Sequence, residues 1–569
     1  MKAYQVAPEP DSKITDELAE YPELVRALLF HRGITNKKDA QAFLAPDWER
    51  DVHDPFLLKD MEKAVGRIFE AIERGEHIAL FSDFDADGIP SAVLMSDFFK
   101  KAGYENVSVS IPHRNLEGFG LNENVVEKFI GDGTKLLITL DCGMGDAVHV
   151  ARAQEHGVDV IVTDHHLPNH DVPKAYAIVN PNQAGDAYPN KNLCGAGVAF
   201  KLVQALVAKK PECIPVGYEK WLLDMVGIAT LSDMVALSGE NRTLAHYGLV
   251  VLRKSPRAGL RALLTNQRVN QRLLSEDDVV FSVTPRINAA SRMDAPELAF
   301  ELLSTHDEVR AETLSRHLDT INNERKGAVA QMSKEIHAKV GEVHESAVLV
   351  VGNTHWRPGL LGLAAMRAVE VYGKPTFVWG RGDAAVIKGS VRGDKQTNVM
   401  LLMQETKELF LEFGGHRHSG GFSITVENLV KLPDALNAAH EKISKGEIRD
   451  AEELLVDATL SLDDVNSRTL TEISKLSPFG AGNPKPVFAF ESIPVAGIEW
   501  FGKEKNHLKL LFRAPGGGRV SAIKFFAKGD ATLEGVREGE TLTLLGSLER
   551  EQFARQASVR VRIVDIMKN

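Results

Sequence analysis

Residues 81–91, FSDFDADGIPS, set Asp83, Asp85 and Asp87 on alternate positions and close on Gly88. Carboxylates held that near one another repel unless a cation lies among them. The apolar run HIALFS (77–82) leads directly into them, and two later runs end the same way. KLLITL (135–140) stops at Asp141, and VDVIVT (158–163) stops at Asp164, His165 and His166. Taken singly, an aspartate behind a strand is a turn former or a helix cap, and adjacent histidines are a surface pair. Taken jointly, three strand ends that carry Asp or Asp-His-His point to a metal centre. Oxygen ligands with imidazole suit Mn²⁺ or Mg²⁺ better than a thiophilic metal, and about six candidate ligands leave room for two ions. Two ions roughly 3.5–4 Å apart can hold a phosphate oxygen, activate water and stabilise a leaving oxygen. An EF-hand loop also opens DxDxDG. Here, however, the twelfth position from Asp83 is Leu94 rather than glutamate, and a strand precedes the loop instead of a helix.

Positioning such groups requires a parallel sheet. The three runs and AYAIVN (175–180) are short, rich in Val, Ile and Leu, and separated by helix-like segments. They predict parallel strands with helical crossovers, and ligands bind such sheets beyond the carboxyl ends of the strands. Ahead of them, residues 1–50 predict a helical cap ending in a Pro-Asp-Trp turn. Residues 306–342 contain no proline and repeat Leu314, Leu318, Ile321, Met332, Ile336 and Val340 at helical intervals, which predicts one long connecting helix or two abutting ones. A second α/β unit begins at SAVLVVG (346–352) and runs through PTFVWG (375–380) to FGGHRHSGGFSI (413–424). Beyond about residue 455, PVFAFESIPVAGIEWF, NHLKLLFRA, GRVSAIKFF, ETLTLLGSL and QASVRVRIVDI read as five strands of a small barrel, of which the oligonucleotide-binding (OB) fold is one common type. The expected class is therefore α/β: two α/β domains, the first with a parallel sheet, joined by a long helix and followed by a β-barrel.

A chain of 569 residues is too long for one core and predicts three or four domains. Hydrophobic content of 44% with 25% charged residues describes a soluble globular protein, and no apolar run approaches membrane-spanning length. The N-terminal MKAYQVAPEPDSKITDEL lacks the basic and apolar regions of a secretory signal, and Cys142, Cys194 and Cys213 are too far apart for a CxxC site, so the expected compartment is the reducing cytoplasm. A net charge of −11 argues against a protein that coats nucleic acid over its whole surface, yet leaves room for local basic grooves.

At this point the residues match a family. DFDADG (83–88), LDCG (140–143), DHH (164–166) and SDMV (232–235) resemble, in order, the motifs of the DHH phosphoesterases. IPHRNLEGFGL (111–121), LCGAGVAFK (193–201), PRINAASRMDAP (285–296), KGSVRG (388–393) and GGHRHSGGFSI (414–424) extend the resemblance to the bacterial RecJ exonucleases over nearly the whole chain. It implies a metal cluster of Asp85, Asp87, Asp141, His165 and Asp233, with Asp83 in the same group. It also implies catalytic roles for His166, on metal or on the scissile phosphate, and for Asp164, by orienting a histidine. The implied domains are a cap (1–50), a DHH catalytic domain (51–305), a connecting helix (306–342), a DHHA1-like nucleic-acid-binding domain (343–454) and an OB-fold domain (455–569).

Phosphate and base contacts carry two readings each. GGHRHSGG is a tight turn, or a place where paired glycines let backbone N–H groups approach an anion between His416, Arg417 and His418. Ser390 and Arg392 in KGSVRG can grip a terminal phosphate; the resemblance implies 5′-end binding here, assisted by Arg286 or Arg292. PHRNLEGFG is a surface loop, or a strand guide in which Arg114 meets a phosphate and Phe119 a base. CGAGVAFK is a helix start near phosphate, or a close helix contact. Trp500, Phe501, Lys503, Lys505 and Lys509 mix aromatic and basic residues in the barrel without individual roles. Ser291 stands where the family pattern has glycine. The implied activity is 5′-to-3′ hydrolysis of single-stranded DNA to 5′-mononucleotides, in recombination and repair. A single-stranded-DNA-binding protein and a repair helicase are the implied partners of a monomeric, non-membrane enzyme. Two alternatives stand beside it: a DHH phosphodiesterase for short oligonucleotides or cyclic dinucleotides, and a non-catalytic replication scaffold.

Overall fold

The computed structural model describes residues 4–568 apart from 115, 169–170, 342–345, 382–385, 395, 445–453, 503 and 552–557; Lys503 and the proposed boundary at 342/343 therefore lie outside the described residues. The chain forms two compact units. One comprises Asp54–Asp233 and Gly248–Ile448; the other comprises Met1–His53, Met234–Tyr247 and Arg449–Asn569.

The first unit opens with a five-stranded, all-parallel sheet of β1 (Ile78–Ser82), β2 (Val107–Ser110), β3 (Leu136–Leu140), β4 (Asp159–Thr163) and β5 (Ala177–Val179), in spatial order β2-β1-β3-β4-β5. Every residue of β1 and β3 is buried, which is why these segments read as unbroken apolar runs rather than alternating ones. Ala79, Phe81, Leu137, Val160 and Val162 pack on one face with Val125, Phe129 and Val150. Helices α1 (Gly88–Lys101), α2 (Gly195–Lys209) and α3 (Leu223–Ser232) follow, each almost wholly buried. The strand order reverses between β1 and β3, and such a switch point opens a crevice at the carboxyl ends of the strands.

After α4 (Thr284–Met293), the predicted connector is one 33-residue helix, α5 (Glu308–Val340). It leads to a mixed sheet of β6 (Leu349–Asn353), β7 (Thr376–Arg381), β8 (Ile387–Arg392), β9 (Phe410–His416) and β10 (Ser419–Ile424), in order β9-β10-β8-β7-β6, with α6 (Pro358–Tyr372) between β6 and β7. Only β6 and β7 are parallel.

In the second unit, β11 (Phe488–Phe501), β12 (His507–Arg513), β13 (Arg519–Lys524), β14 (Thr541–Glu551) and β15 (Ser558–Lys568) close a barrel in the order β11-β12-β13-β15-β14-β11. Register shifts on either side of Pro494 let the long strand β11 pair with both β14 and β12. The helices Ser12–Glu17 and Glu23–Phe30 do not form a core of their own. Leu18, Val25, Leu28 and Leu29 share one apolar cluster with Phe488, Phe490 and Phe512 of the barrel.

Candidate metal centre

The switch point between β1 and β3 is where the carboxylates collect. Beyond Ser82 the chain folds back so tightly that a Cβ on Gly88 would lie 2.3 Å from the Asp83 carbonyl oxygen, so glycine is required by close approach. Asp85 Oδ1 accepts the N–H groups of Asp87 (2.8 Å) and Gly88 (3.2 Å), and Asn288 Oδ1 accepts that of Ala86 (3.0 Å). Asp87 turns its carboxylate onto the start of α2, accepting from Gly195 N–H (2.6 Å) and Ala196 N–H (2.7 Å). At the end of β3, Asp141 adopts a left-handed backbone (φ 62°), an uncommon conformation outside glycine that concentrates at functional positions. Its side chain lies where a Cβ on Gly195 would stand, 2.4 Å from Oδ1.

His165 binds these segments together. Its Nε2 lies 3.2 Å from Asp141 Oδ1, 3.8 Å from Asp87 Oδ2 and 3.8 Å from Asp233 Oδ2. Three overlapping groups offer ligand atoms within 4.8 Å of one another: Asp83, Asp85 and Asp141; Asp141, His165 and His166; Asp87, His165 and Asp233. Asp83 Oδ1 and Asp141 Oδ1 are buried without a hydrogen-bond partner. Such orphaned carboxylate oxygens are costly unless something positive fills the space between them. Burial, then Asp85, pushes Asp83 well above the usual carboxylate range. Burial, then Asp87, Asp85 and Asp83, does the same to Asp141. Burial, then Asp87 and Asp85, pushes Asp233 up to about 8. Oxygen-rich donors with one or two imidazoles fit Mn²⁺ or Mg²⁺.

Asp164 does different work. It is 1% exposed and accepts from the backbone N–H groups of His165 (2.7 Å), His166 (3.0 Å) and Met144 (3.0 Å) and from His166 Nδ1 (2.7 Å). Burial alone would raise Asp164, but the hydrogen bond and charge of His166 hold it below its ordinary value. Burial would lower His166, yet Asp164 overrides it and pushes the imidazole up to about 9. Asn180 and Asn182 add a support that motif reading missed, donating to the carbonyls of His166 (2.9 Å) and His165 (2.7 Å). The exposed Phe119 meets His166 edge-on at 5.7 Å and Phe84 at 6.5 Å, and Arg114 lies over the Phe84 ring at 4.9 Å. Arg114 and Phe119 thus border the carboxylate cluster.

Arginines gather on the same side. Arg292 Nη1 donates to Gly359 O in the first turn of α6 (2.8 Å), and Arg392 Nη1 donates to Ser390 Oγ (3.1 Å). A Cβ on Gly362 of α6 would stand 2.8 Å from Arg392 Nη2 and 3.1 Å from Ser390 Oγ. Burial, followed by the charges of Arg114, Arg325 and Arg392, lowers Arg292 to about 9. Guanidiniums crowded in this way would be relieved by an anion set among them. Arg325, absent from the motif reading, belongs to this group. Ser291 fits inside α4, buried with its Oγ 3.3 Å from Asn288 O.

One predicted contact is corrected. Arg286 does not face a ligand: it is 5% exposed, ion-paired to Asp319 of α5 (2.9 Å), bonded to Gln267 Oε1, and donates to the carbonyls of Phe281 and Ser282. It is a strut between α4 and α5. His416, Arg417 and His418 stand on the exposed tip of the β9–β10 hairpin. There Gly415 (φ 146°) meets a turn requirement, since its Cβ would lie 2.3 Å from Ser419 O.

Comparison with known proteins agrees with this geometry. The model of the DHH family N-terminal domain matches residues 77–230, and that of the RecJ OB domain matches residues 456–565. The single-stranded-DNA-specific exonuclease RecJ of Bacillus subtilis is 33% identical over 97% of this chain and 69% of its own length. That of Haemophilus influenzae is 31% identical over 90% of both chains. Among solved structures, RecJ of Thermus thermophilus in complex with Mn²⁺ aligns with a TM-score of 0.82 at 26% identity, covering 100% of this chain and 80% of that one. The same protein in complex with Mg²⁺ shares the fold, with a TM-score of 0.76 at 24% identity over 100% of this chain and 78% of that one.

Proposed function

The chain belongs to the RecJ family of single-stranded-DNA-specific exonucleases, and on that premise we propose that it hydrolyses single-stranded DNA from the 5′ end and releases 5′-mononucleotides. The observation that carries the reading is the convergence of Asp83, Asp85, Asp87, Asp141, His165 and Asp233 at one switch point, with two buried carboxylate oxygens left without hydrogen bonds. These residues would hold two divalent ions, Mn²⁺ or Mg²⁺, which when bound polarise the scissile phosphate and lower the pKa of water.

The remaining steps fall to the protein's own groups. His166, oriented by its hydrogen bond to Asp164, presents its ring to a non-bridging phosphate oxygen. Asp164 acts through His166 and is a positioning residue. Arg292, Arg392 and Ser390, with Arg114 and Arg325 beside them, hold the terminal phosphate and so set the cut one nucleotide from the 5′ end. Phe119 offers a ring to the adjacent base, and His416, Arg417 and His418 offer further phosphate contacts. In domain terms, 51–305 supplies the chemistry, 343–454 the end recognition and 455–569 a further strand contact, with 306–342 as connector and 1–50 as cap.

Among the described residues no helix is long and apolar enough to cross a membrane. We place the enzyme in the cytoplasm as a monomer, working in recombination and repair with a single-stranded-DNA-binding protein and a helicase. The test is release from a 3′-labelled single strand with Mn²⁺ or Mg²⁺, beside a matched duplex, a cyclic dinucleotide and Asp141→Ala. Progressive 5′ shortening of the single strand alone, abolished in the variant, is expected. Turnover of only the dinucleotide would move the assignment to a small-substrate phosphodiesterase, and inertness toward all three would move it to a scaffold.

A further inference from the structure

The turn behind Asp141 carries a further aspartate that stands outside the three ligand groups. Asp146 precedes the helix Ala147–Glu155, yet its side chain makes no capping hydrogen bond there. Its backbone (φ −105°, ψ 35°) lies outside the extended region that a capping residue uses. The carboxylate reaches instead to the segment that carries Phe119. Its Oδ2 accepts the N–H of Leu121 (2.8 Å), and a Cβ on Gly120 would stand 2.6 Å from Oδ1. Gly120 is thus required twice, by this close approach and by its left-handed backbone (φ 78°). Burial raises the Asp146 carboxyl, and the Leu121 N–H opposes the rise.

The chain differs on the two sides of this contact. Leu121 is buried among Val125, Phe129 and Val150 on one face of the parallel sheet. Phe119 is 56% exposed, and Gly118 before it has φ 84° with open space where a Cβ would stand. The ring therefore sits between two left-handed glycines, the second gripped by Asp146 and the first in the open. The gripping turn is itself tied to the metal centre. Asp146 N–H donates to Gly143 O (3.1 Å), and Met144 N–H donates to Asp164 (3.0 Å). Asp164 also accepts from His166, the imidazole that Phe119 meets edge-on. From Asp146 through Leu121, Phe119, His166 and Asp164 to Met144, the contacts close a circuit.

We propose that Asp146 is a positioning residue for the strand: it fixes Phe119 against His166, so that the ring is in place before a base arrives. A ring held beforehand gives up little freedom on binding, whereas a segment free to turn at Gly118 has to be ordered by the strand itself. The inference deepens the proposed exonuclease reading and rests on it for the base that Phe119 meets.

Asp146→Ala takes no cap from the helix behind it, and Asp146→Asn keeps an oxygen for the Leu121 N–H. Affinity of the full chain for a short fluorescent 5′-phosphorylated oligodeoxythymidylate is measured by anisotropy without divalent metal. It is expected to fall roughly three- to tenfold in Asp146→Ala. Asp146→Asn should stay within about twofold of the wild type, and adding Asp146→Ala to Phe119→Ala should change affinity by less than about twofold. Hydrogen exchange in Asp146→Ala should quicken at 119–121 and stay unchanged across Ala147–Glu155. Unchanged affinity in Asp146→Ala, a full further loss in the Phe119→Ala background, or faster exchange spread through Ala147–Glu155 would each overturn the proposal. Nucleotide release by the wild type with Mn²⁺ is scored separately. A wild type that binds the strand and shows the expected cycle but cleaves nothing would leave the tether standing and remove the exonuclease assignment. Cleavage with additive losses would do the reverse.

Discussion

Asp141 shows how much a single residue must satisfy at this centre: a left-handed backbone, a side chain pressed against the start of α2, and an Oδ1 set among other carboxylates with His165 Nε2 3.2 Å away. Asp141→Asn keeps the shape, and asparagine tolerates the left-handed conformation. Without metal, the wild-type carboxyl must take up a proton to be buried at neutral pH and asparagine need not, so the variant should be about 1–3 kcal/mol more stable than the wild type by thermal melting. Its Mn²⁺-dependent nucleotide release should fall roughly a hundred- to a thousandfold. The same carboxylates predict a pH effect. Asp233 in the metal-free site holds its proton up to about 8, far above its ordinary value of 3.8. The metal-free fold therefore binds more protons than the unfolded chain between those values and loses stability as pH rises through about 8. Metal affinity moves the other way, because each ion displaces protons, so it rises over the same span. Calorimetric titration with Mn²⁺ in buffers of different ionisation enthalpy should register proton release at pH 7 that fades toward pH 9; no buffer dependence would contradict the clustering. The aspartates were legible because a strand end followed by alternating carboxylates is a local pattern. Gly195 and Ala196 were not legible as partners of Asp87, since GAGVAFK fits either a helix start or a close helix contact and the carboxylate it serves is 108 residues away.

At the scale of elements, period did most of the predictive work. Unbroken apolar runs marked β1, β3 and β4, and apolar residues at helical spacing marked α5, because burial on two faces or on one stripe leaves those signatures directly. Arginines leave no such signature. Arg286 and Arg292 stand six positions apart in PRINAASR, yet the first faces Asp319 on α5 and the second faces α6, a difference set by which helix packs on each side of α4. Arg286→Met should lower stability by about 1–3 kcal/mol, a discounted figure because Asp319 is 32% exposed and regains water. It should leave the affinities for Mn²⁺ and for a 5′-phosphorylated strand unchanged. Arg292→Met should weaken binding of the 5′-phosphorylated strand relative to the 5′-hydroxyl strand. Equal preference for the phosphate in wild type and Arg292→Met, read by competition, would remove Arg292 from the anion receptor.

At the scale of the whole molecule, the sequence suggested a cap at one end and a barrel at the other, while the two ends share one core. Leu28 is fully buried in a cluster with Phe488, Phe490 and Phe512, more than four hundred positions along the chain. A helical stripe announces that it must be covered, but its residues do not say by what, and a pairing at that separation has no local trace. The consequence is that the first fifty residues cannot be treated as an appendage. Leu28→Ala should destabilise the helix–barrel unit by about 2–5 kcal/mol, the cost of a buried leucine with its cavity. Hydrogen exchange followed by mass spectrometry locates the effect: faster exchange is expected in Glu23–Phe30 and in β11, β12 and β14 together, since they lose a common core. Mn²⁺ should instead slow exchange at 83–88 and 141–144, where ions would tie the strand-end loops to His165 and Asp233. Should Leu28→Ala leave exchange in the barrel strands untouched, the shared core would not be energetically real.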